Sequence, residues 1–497
     1  MPLSWNEIRD RAVGFSRSWA EETRERAEAQ TFWNEFFEVL GISRKRVASF
    51  VEPVKKLGDK RGEIDAFWKG VLIVEHKSRG KDLDRAFTQA LDYFPGIIER
   101  DLPKYVLVSD FARFRLYDLV ADSEQEFPLR DLHKRIKLFG FIAGYAPQEI
   151  KPQDPVNIHA AEQMGRLHDL LKAAGYLGHP LEVFLVRLVF CLFADDTGIF
   201  PKQSFRDWLD ARTAEDGSDL GPRLAELFQV LNTPRDKRQK NLDEQLNAFD
   251  YIDGRLFEEP LPLAQFDAKM RETLLECCAL NWGSVSPAIF GALFQAVMDE
   301  KARRNLGAHY TSEENILKLI KPLFLDELWA EFEKAKNNKN RLFDFLKKLR
   351  TLTFFDPACG CGNFLVISYR ELRTLELEVL RAAVGIGQRF VDVVGLIRID
   401  VDQFYSIEIE EFPAQIAQVA LWLVDHQMNM KVSEEFGMYF ARIPLKTTPH
   451  IAHRNALRLD WNEVVSAERL SYIISNPPFV GFNFTSEAQR NDLLHVF

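Results

Sequence analysis

At 497 residues, with 46% hydrophobic and 28% charged side chains, the chain has the length for roughly two to four globular domains. Its net charge of −10 argues against a uniformly basic nucleic-acid-binding surface, although positive charge is clustered in Arg44–Arg46, Lys55–Arg61, Lys77–Lys81 and Lys334–Arg350. Five cysteines, Cys277 and Cys278 adjacent, match neither a disulfide framework nor a zinc site, and no signal-peptide core opens the chain.

These features predict a cytoplasmic protein with no membrane partner. The most apolar stretch, VFLVRLVFCLFA at 183–194, is too short to span a bilayer and contains Arg187. Residues 1–150 read as a small α/β unit. A helix (TFWNEFFEVLGI) leads into a basic loop, strands around IDAFW and VLIVEHK, an amphipathic helix (DLDRAFTQALDYF) and a hairpin (KYVLVSDFARFRLYDL). Residues 151–305 read as an all-helical connector. From 306 the β/α alternation resumes through LTFFDPACG, FYSIEIE and YIISNPPF, the signature of a parallel, doubly wound sheet.

In the first unit, Asp65 and Glu75 end two short apolar strands separated by a turn at Gly70, which would bring both carboxylates together. Two carboxylates suit Mg²⁺, which keeps several waters. Lys77 projects from the same strand face as Glu75, positioned to orient or deprotonate a metal-bound water. Gln89 and Tyr93, four apart, share one face of the next helix. A charged hairpin edge would leave the same trace. Together these residues resemble the PD-(D/E)xK nuclease core with its auxiliary Q-x3-Y helix, which implies metal-dependent hydrolysis of DNA. Glu35 stands where many such nucleases carry a further acid, with Glu38 as a rival.

In the third zone, FFDPACGCGNFL ends a strand and opens a helix. Gly360 and Gly362 would let the backbone approach a ligand, and no lysine follows to make a phosphate loop. Asp356 could meet an ammonium group, Glu408 both hydroxyls of a ribose, and Asn455 an adenine edge. The order resembles class I S-adenosylmethionine-dependent methyltransferases, with Ala358 in the glycine loop. Cys361 stands where Ser or Thr is usual and Asn455 where Asp is frequent; Cys359 and Cys361 are read as small loop residues.

Asn476-Pro477-Pro478-Phe479 resembles the (N/D/S)PP(Y/F/W) motif of amino-methyltransferases. There the asparagine oxygen and the first proline carbonyl accept the target amine, and the aromatic ring stacks on a flipped-out base. Tyr310 and Thr311, in LGAHYTSEENI, resemble the element that closes over the methionine end of the cofactor in adenine-N6 methyltransferases. Thr311 or Ser312 caps the helix that follows. Asp195 and Asp196, in FADDTGIF, read as caps of their helix end and the turn at Gly198.

The whole resembles single-chain type II restriction–modification enzymes of the MmeI-like (type IIG/IIL) group. The resemblance implies a metal-dependent nuclease, a helical connector and an adenine methyltransferase acting on double-stranded DNA. In that group one recognition domain serves both activities, one strand is methylated, and cleavage falls at a distance. Further sheet strands and the recognition domain follow NPPF there. The expectation is therefore of an incomplete methyltransferase sheet, in a truncated or split product or one completed by a second polypeptide, with weak or no sequence-specific methylation by this chain alone. A methyltransferase with a structural nuclease-like zone and a non-catalytic remnant stand as alternatives. The attached nuclease-like zone argues against a protein-glutamine methyltransferase.

Overall fold

A computed structural model describes residues 3–21, 25–42, 52–55, 61–143, 155–252, 256–286, 288, 311–386, 394–437, 449–477 and 486–496. Two compact units emerge, one of residues 1–147 with 433–439, the other of 148–432 with 440–497.

The first unit opens with α1 (Trp5–Ser18), started by a capping box in which Ser4 and Glu7 exchange hydrogen bonds. Helix α2 (Glu25–Val39) follows, then a two-stranded antiparallel pair, β1 (Glu52–Lys55) and β2 (Arg61–Ile64), within the stretch read as a basic loop. A five-stranded sheet is ordered β3 (Ala66–Trp68), β4 (Leu72–His76), β5 (Tyr105–Ser109), β6 (Arg113–Asp118), β7 (Ser123–Pro128). Only β4 and β5 run parallel. They are linked through α3 (Leu83–Leu91), capped by Asp82.

The alternation along β4 decides what each face carries. Leu72 and Val74 enter a core with Phe32, Trp33, Phe36 and Phe114 from α2 and β6. Ile73 enters a second core with Leu83, Ala86, Ala90 and Tyr93. Glu75 and Lys77 have the parity of Ile73, and His76 that of Val74.

The second unit begins with α4 (Pro155–Ala173) and α5 (His179–Asp196). It continues through α6 (Ser204–Arg212), α7 (Leu220–Leu231) and α8 (Ala268–Cys278). Helix α5 is buried on nearly every side. Its Arg187 reaches the carbonyls of Leu256 and Glu259 at 2.8 and 2.7 Å, so a charge in an apolar run is satisfied by backbone. Asp195 accepts from the Phe205 and Arg206 amides and Asp196 from Trp282, so both brace neighbouring segments instead of capping their own helix end. No helix among the described residues is long and apolar enough to cross a membrane.

Helices α9 (Glu313–Ile320), α10 (Asp326–Ala335) and α11 (Lys339–Thr351) precede a four-stranded, all-parallel sheet. Its order is β10 (His450–His453), β9 (Phe404–Glu408), β8 (Phe354–Asp356), β11 (Tyr472–Ile473). Helix α12 (Asn363–Gly385) leaves β8, and α13 (Glu411–Phe436) leaves β9. Between them lies a fully buried polar network. Arg373 bonds Tyr369, Asp425 and Asn429 at 2.7–2.9 Å and pairs with Glu376 at 3.0 Å. Helix α14 (Glu487–Val496) follows β11, which forms one edge of the sheet and leaves Ile473 51% exposed.

Candidate functional site

In the first unit the pairing Ala66↔Val74 continues outward to set Asp65 beside Glu75 and His76. The His76 amide donates to Asp65 Oδ2 at 2.6 Å, which anchors one carboxylate to the strand that carries the other. Glu75 is 2% exposed, and Lys77 Nζ lies 2.5 Å from its Oε1. The Lys77 amide in turn donates to the Ser109 carbonyl, fixing the strand end against β5.

From α3, Gln89 Nε2 donates to the Tyr93 hydroxyl at 3.3 Å. Burial, with Glu75 and Asp65 nearby, raises the Tyr93 pKa against the Gln89 bond and Lys77. All five residues singled out in the sequence therefore form one neighbourhood. Glu35 instead accepts the Trp19 indole N–H at 2.7 Å, and Glu38 is exposed. Among the described residues no group of three or more metal-ligating side chains forms, so a metal here would take two carboxylates and water.

His76 was not anticipated from sequence. It is 1% exposed, packed against Phe32, Trp33 and Phe111, and burial pushes its pKa down to about 3. It is a neutral ring in the wall behind the carboxylates.

In the second unit the candidate residues gather at the carboxyl ends of the parallel strands, where helix starts and loops leave room for a ligand. Asp356 ends β8, is 1% exposed, and accepts from the Ala358 amide at 3.0 Å and the Ser475 hydroxyl at 2.7 Å. Burial, with Glu408 nearby, lifts its pKa to about 7 against those two bonds. Its Oδ2 is buried with no partner among the described residues.

Glu408 ends β9 and accepts from the Gly360 and Glu410 amides at 2.7 and 3.0 Å; burial raises its pKa too. No cation pairs with either carboxylate among the described residues. The two glycines have separate reasons. A Cβ on Gly360 (φ +53°) would meet open space, as expected where a ligand passes. One on Gly362 (φ +80°) would lie 2.8 Å from Ala417 Cβ, so this glycine serves the contact of α12 with α13.

Asn455 lies just beyond β10, with its Oδ1 accepting from Leu457 and its Nδ2 donating to Asp492 of α14 at 2.7 Å. Arg458 also binds Asp492. Asn476 donates to Thr311 Oγ1 at 2.9 Å, bringing the NPPF segment and the element before α9 together. Ser312, not Thr311, is the cap of α9. Pro477 is exposed beside Asn476; Tyr310, Pro478 and Phe479 lie outside the described residues.

Ile409, directly after Glu408, is 53% exposed at this strand end, an apolar surface that a strand-end pattern alone did not mark. A cavity of about 660 Å³ opens elsewhere, at the amino ends of the strands, beside Arg350, Asp402, His450 and Arg469. It is remote from these carboxylates, and the chemistry of the strand carboxyl ends outweighs its size.

Residues 332–497 match the profile of the MmeI DNA-methyltransferase domain, 10–174 that of the MmeI N-terminal domain, and 179–257 that of the MmeI helicase spacer domain. A solved structure of the type IIL restriction-modification enzyme MmeI in complex with DNA is 68% identical, with a TM-score of 0.66 over 69% of this chain and 46% of that one. The chain belongs to the MmeI family.

Two further proteins are similar. DNA methyltransferase A of Bacillus subtilis is 33% identical over 95% of this chain and 53% of its own length. A putative type II restriction enzyme and methyltransferase of Methanocaldococcus jannaschii is 28% identical over 48% of this chain and 24% of its own. The chain thus spans about half the length of the first of these curated relatives, and less of the second. The MmeI methyltransferase profile takes in Asp356, Glu408, Asn455 and Asn476, whereas Thr311 precedes it. The MmeI N-terminal profile takes in Asp65, Glu75, Lys77, Gln89 and Tyr93.

Proposed function

We propose that the second unit transfers a methyl group from S-adenosylmethionine to the N6 amine of adenine in double-stranded DNA, and that the first hydrolyses DNA with Mg²⁺. The observation that carries the first part is the chain of contacts Asp356–Ser475–Asn476–Thr311. It joins the glycine-loop strand, the NPPF segment and the upstream element at one end of the sheet.

The residues fit the cofactor. Asp356 has an unengaged buried oxygen for an ammonium, Glu408 a carboxylate for ribose hydroxyls, Gly360 open space, and Ile409 an apolar surface for a purine face. Asn455 would contact the adenine edge while held by Asp492, and Ala358 and Tyr310 are the further cofactor contacts that the motif resemblance implies. Bound there, the cofactor supplies an electrophilic methyl on a sulfonium. Asn476 Oδ1 and the Pro477 carbonyl accept the two N–H bonds of a flipped-out adenine, drawing its lone pair out of conjugation, and Phe479 stacks on the base.

In the first unit Asp65 and Glu75 would hold Mg²⁺, which would supply Lewis acidity when bound, and Lys77, beside Glu75, would orient a water towards the phosphodiester. Gln89 and Tyr93 support Glu75 from α3. Labelled S-adenosylmethionine with adenine-containing DNA tests the first part, with label expected in N6-methyladenine. Cofactor binding with label only in cytosine would sink the adenine assignment.

A further inference from the structure

Thr311 and Asn476 are 165 positions apart, yet the amide nitrogen of one donates to the hydroxyl oxygen of the other at 2.9 Å. One residue earlier, the Ser475 hydroxyl donates to Asp356. The segment after β11 is therefore tied on one side to the carboxylate at the end of β8 and on the other to the residue preceding the cap of α9. A primary amide is ambivalent: turned one way it presents an acceptor, turned the other way two donors. A threonine hydroxyl is equally ambivalent, able to accept from the amide nitrogen or to donate to the amide oxygen. Such a pair has one arrangement only when a third group claims the hydroxyl proton. Among the described residues no acceptor for that proton is found.

We infer that Thr311 is a positioning residue that orients the Asn476 amide, and that the cofactor's carboxylate claims the Thr311 proton. Loading the cofactor then leaves Asn476 Oδ1 as the acceptor facing the target amine. The inference rests on the S-adenosylmethionine reading above. A carboxylate can only accept. Once it takes the Thr311 hydrogen, the hydroxyl keeps only lone pairs, and the amide has to turn its nitrogen to them. The oxygen is left for the base. Base capture is thereby made conditional on cofactor capture by two side chains, with no movement of the backbone.

The Asn476 side-chain NH₂ resonance of the full chain, assigned by its loss in Asn476→Asp, reads this directly. Adding S-adenosylhomocysteine should slow its hydrogen exchange about tenfold in the wild type and in Thr311→Ser, but not in Thr311→Val or Thr311→Ala. Calorimetric affinity for the same ligand should fall by about tenfold or less in the valine and alanine variants. Equal slowing in Thr311→Val and the wild type, or no slowing in a wild type that binds the ligand, overturns the inference and leaves the cofactor reading standing. A wild type that binds no ligand overturns both. Should the valine variant misfold, the serine and alanine variants carry the same contrast.

Discussion

The two units place carboxylates at strand ends in opposite electrostatic settings. At the end of β4, Glu75 already holds a cation, Lys77 at 2.5 Å, and Asp65 is tied to a backbone amide. At the ends of β8 and β9, Asp356 and Glu408 lie near each other and accept hydrogen bonds from backbone amides and a serine hydroxyl. In the first arrangement one carboxylate already has a lysine partner, which the proposed metal would have to displace. The second is an acid-rich pocket whose carboxylates are costly to ionise until a cation arrives. The difference teaches that the same residue type at the same place in a sheet can be built for exchange or for waiting.

The sharpest way to break this comparison is to remove the internal cation. Lys77→Ala should lower Mg²⁺-dependent DNA cleavage by about 10³-fold, while Mg²⁺ binds at least as tightly because Glu75 no longer has to give up a partner. Calorimetry of Mg²⁺ beside a plasmid-nicking assay reads both. Weaker metal binding in the variant would mean the lysine builds the site instead of occupying it.

Buried groups at the two sites titrate with opposite sign. His76 is held at about 3 where an unfolded histidine titrates near 6.5. Its stabilising contribution is whole above about pH 6.5 and is lost as pH falls towards 3, at most about 5 kcal/mol. His76→Leu, which keeps the backbone bond to Asp65, should flatten that loss in denaturant titrations at stepped pH. A variant as acid-sensitive as the wild type would place the sensitivity elsewhere.

The two glycines separate packing from binding within the second unit. Gly362→Ala should destabilise by about 2–4 kcal/mol, from the clash with Ala417 and the left-handed backbone. Gly360→Ala should cost only about 1 kcal/mol of backbone strain but weaken cofactor binding. Melting curves with calorimetry distinguish them; equal melting temperatures would remove the packing role of Gly362.

Much of this was legible in sequence because strand ends, glycine turns and i, i+4 faces are local. Asp65, Glu75, Lys77, Gln89 and Tyr93 converge as the alternation along β4 requires. What sequence left out depends on distant partners. β10 is a four-residue HIAH strand with no hydrophobic run, and β7 is a largely exposed SEQEFP strand. Each is defined by its neighbour. The role of Gly362 is set by Ala417, that of Glu35 by Trp19, and that of Asp195 by the start of α6, all beyond the reach of a turn or a helix face. Asn455 reads as a free amide until Asp492 is seen beside it.

The smallest effect tests the idea of a site waiting for a cation. Asp356 is raised to about 7 by burial, above an ordinary value of 3.8. In the free protein the folded state holds its proton longer than the unfolded chain does. This carboxyl therefore subtracts stability as pH rises from about 4 to 7, the reverse of His76. An ammonium beside it favours the ionised form. Cofactor affinity should accordingly rise about tenfold from pH 6 to pH 8, and binding at pH 6.5 should release a proton, detectable as a buffer-dependent calorimetric enthalpy. Asp356→Asn should abolish both the slope and the proton release while weakening binding at pH 8 more than at pH 6. A flat profile in the wild type would mean that Asp356 stays protonated with the ligand bound. It would then serve as a donor, and the cation would have to be balanced by Glu408 alone.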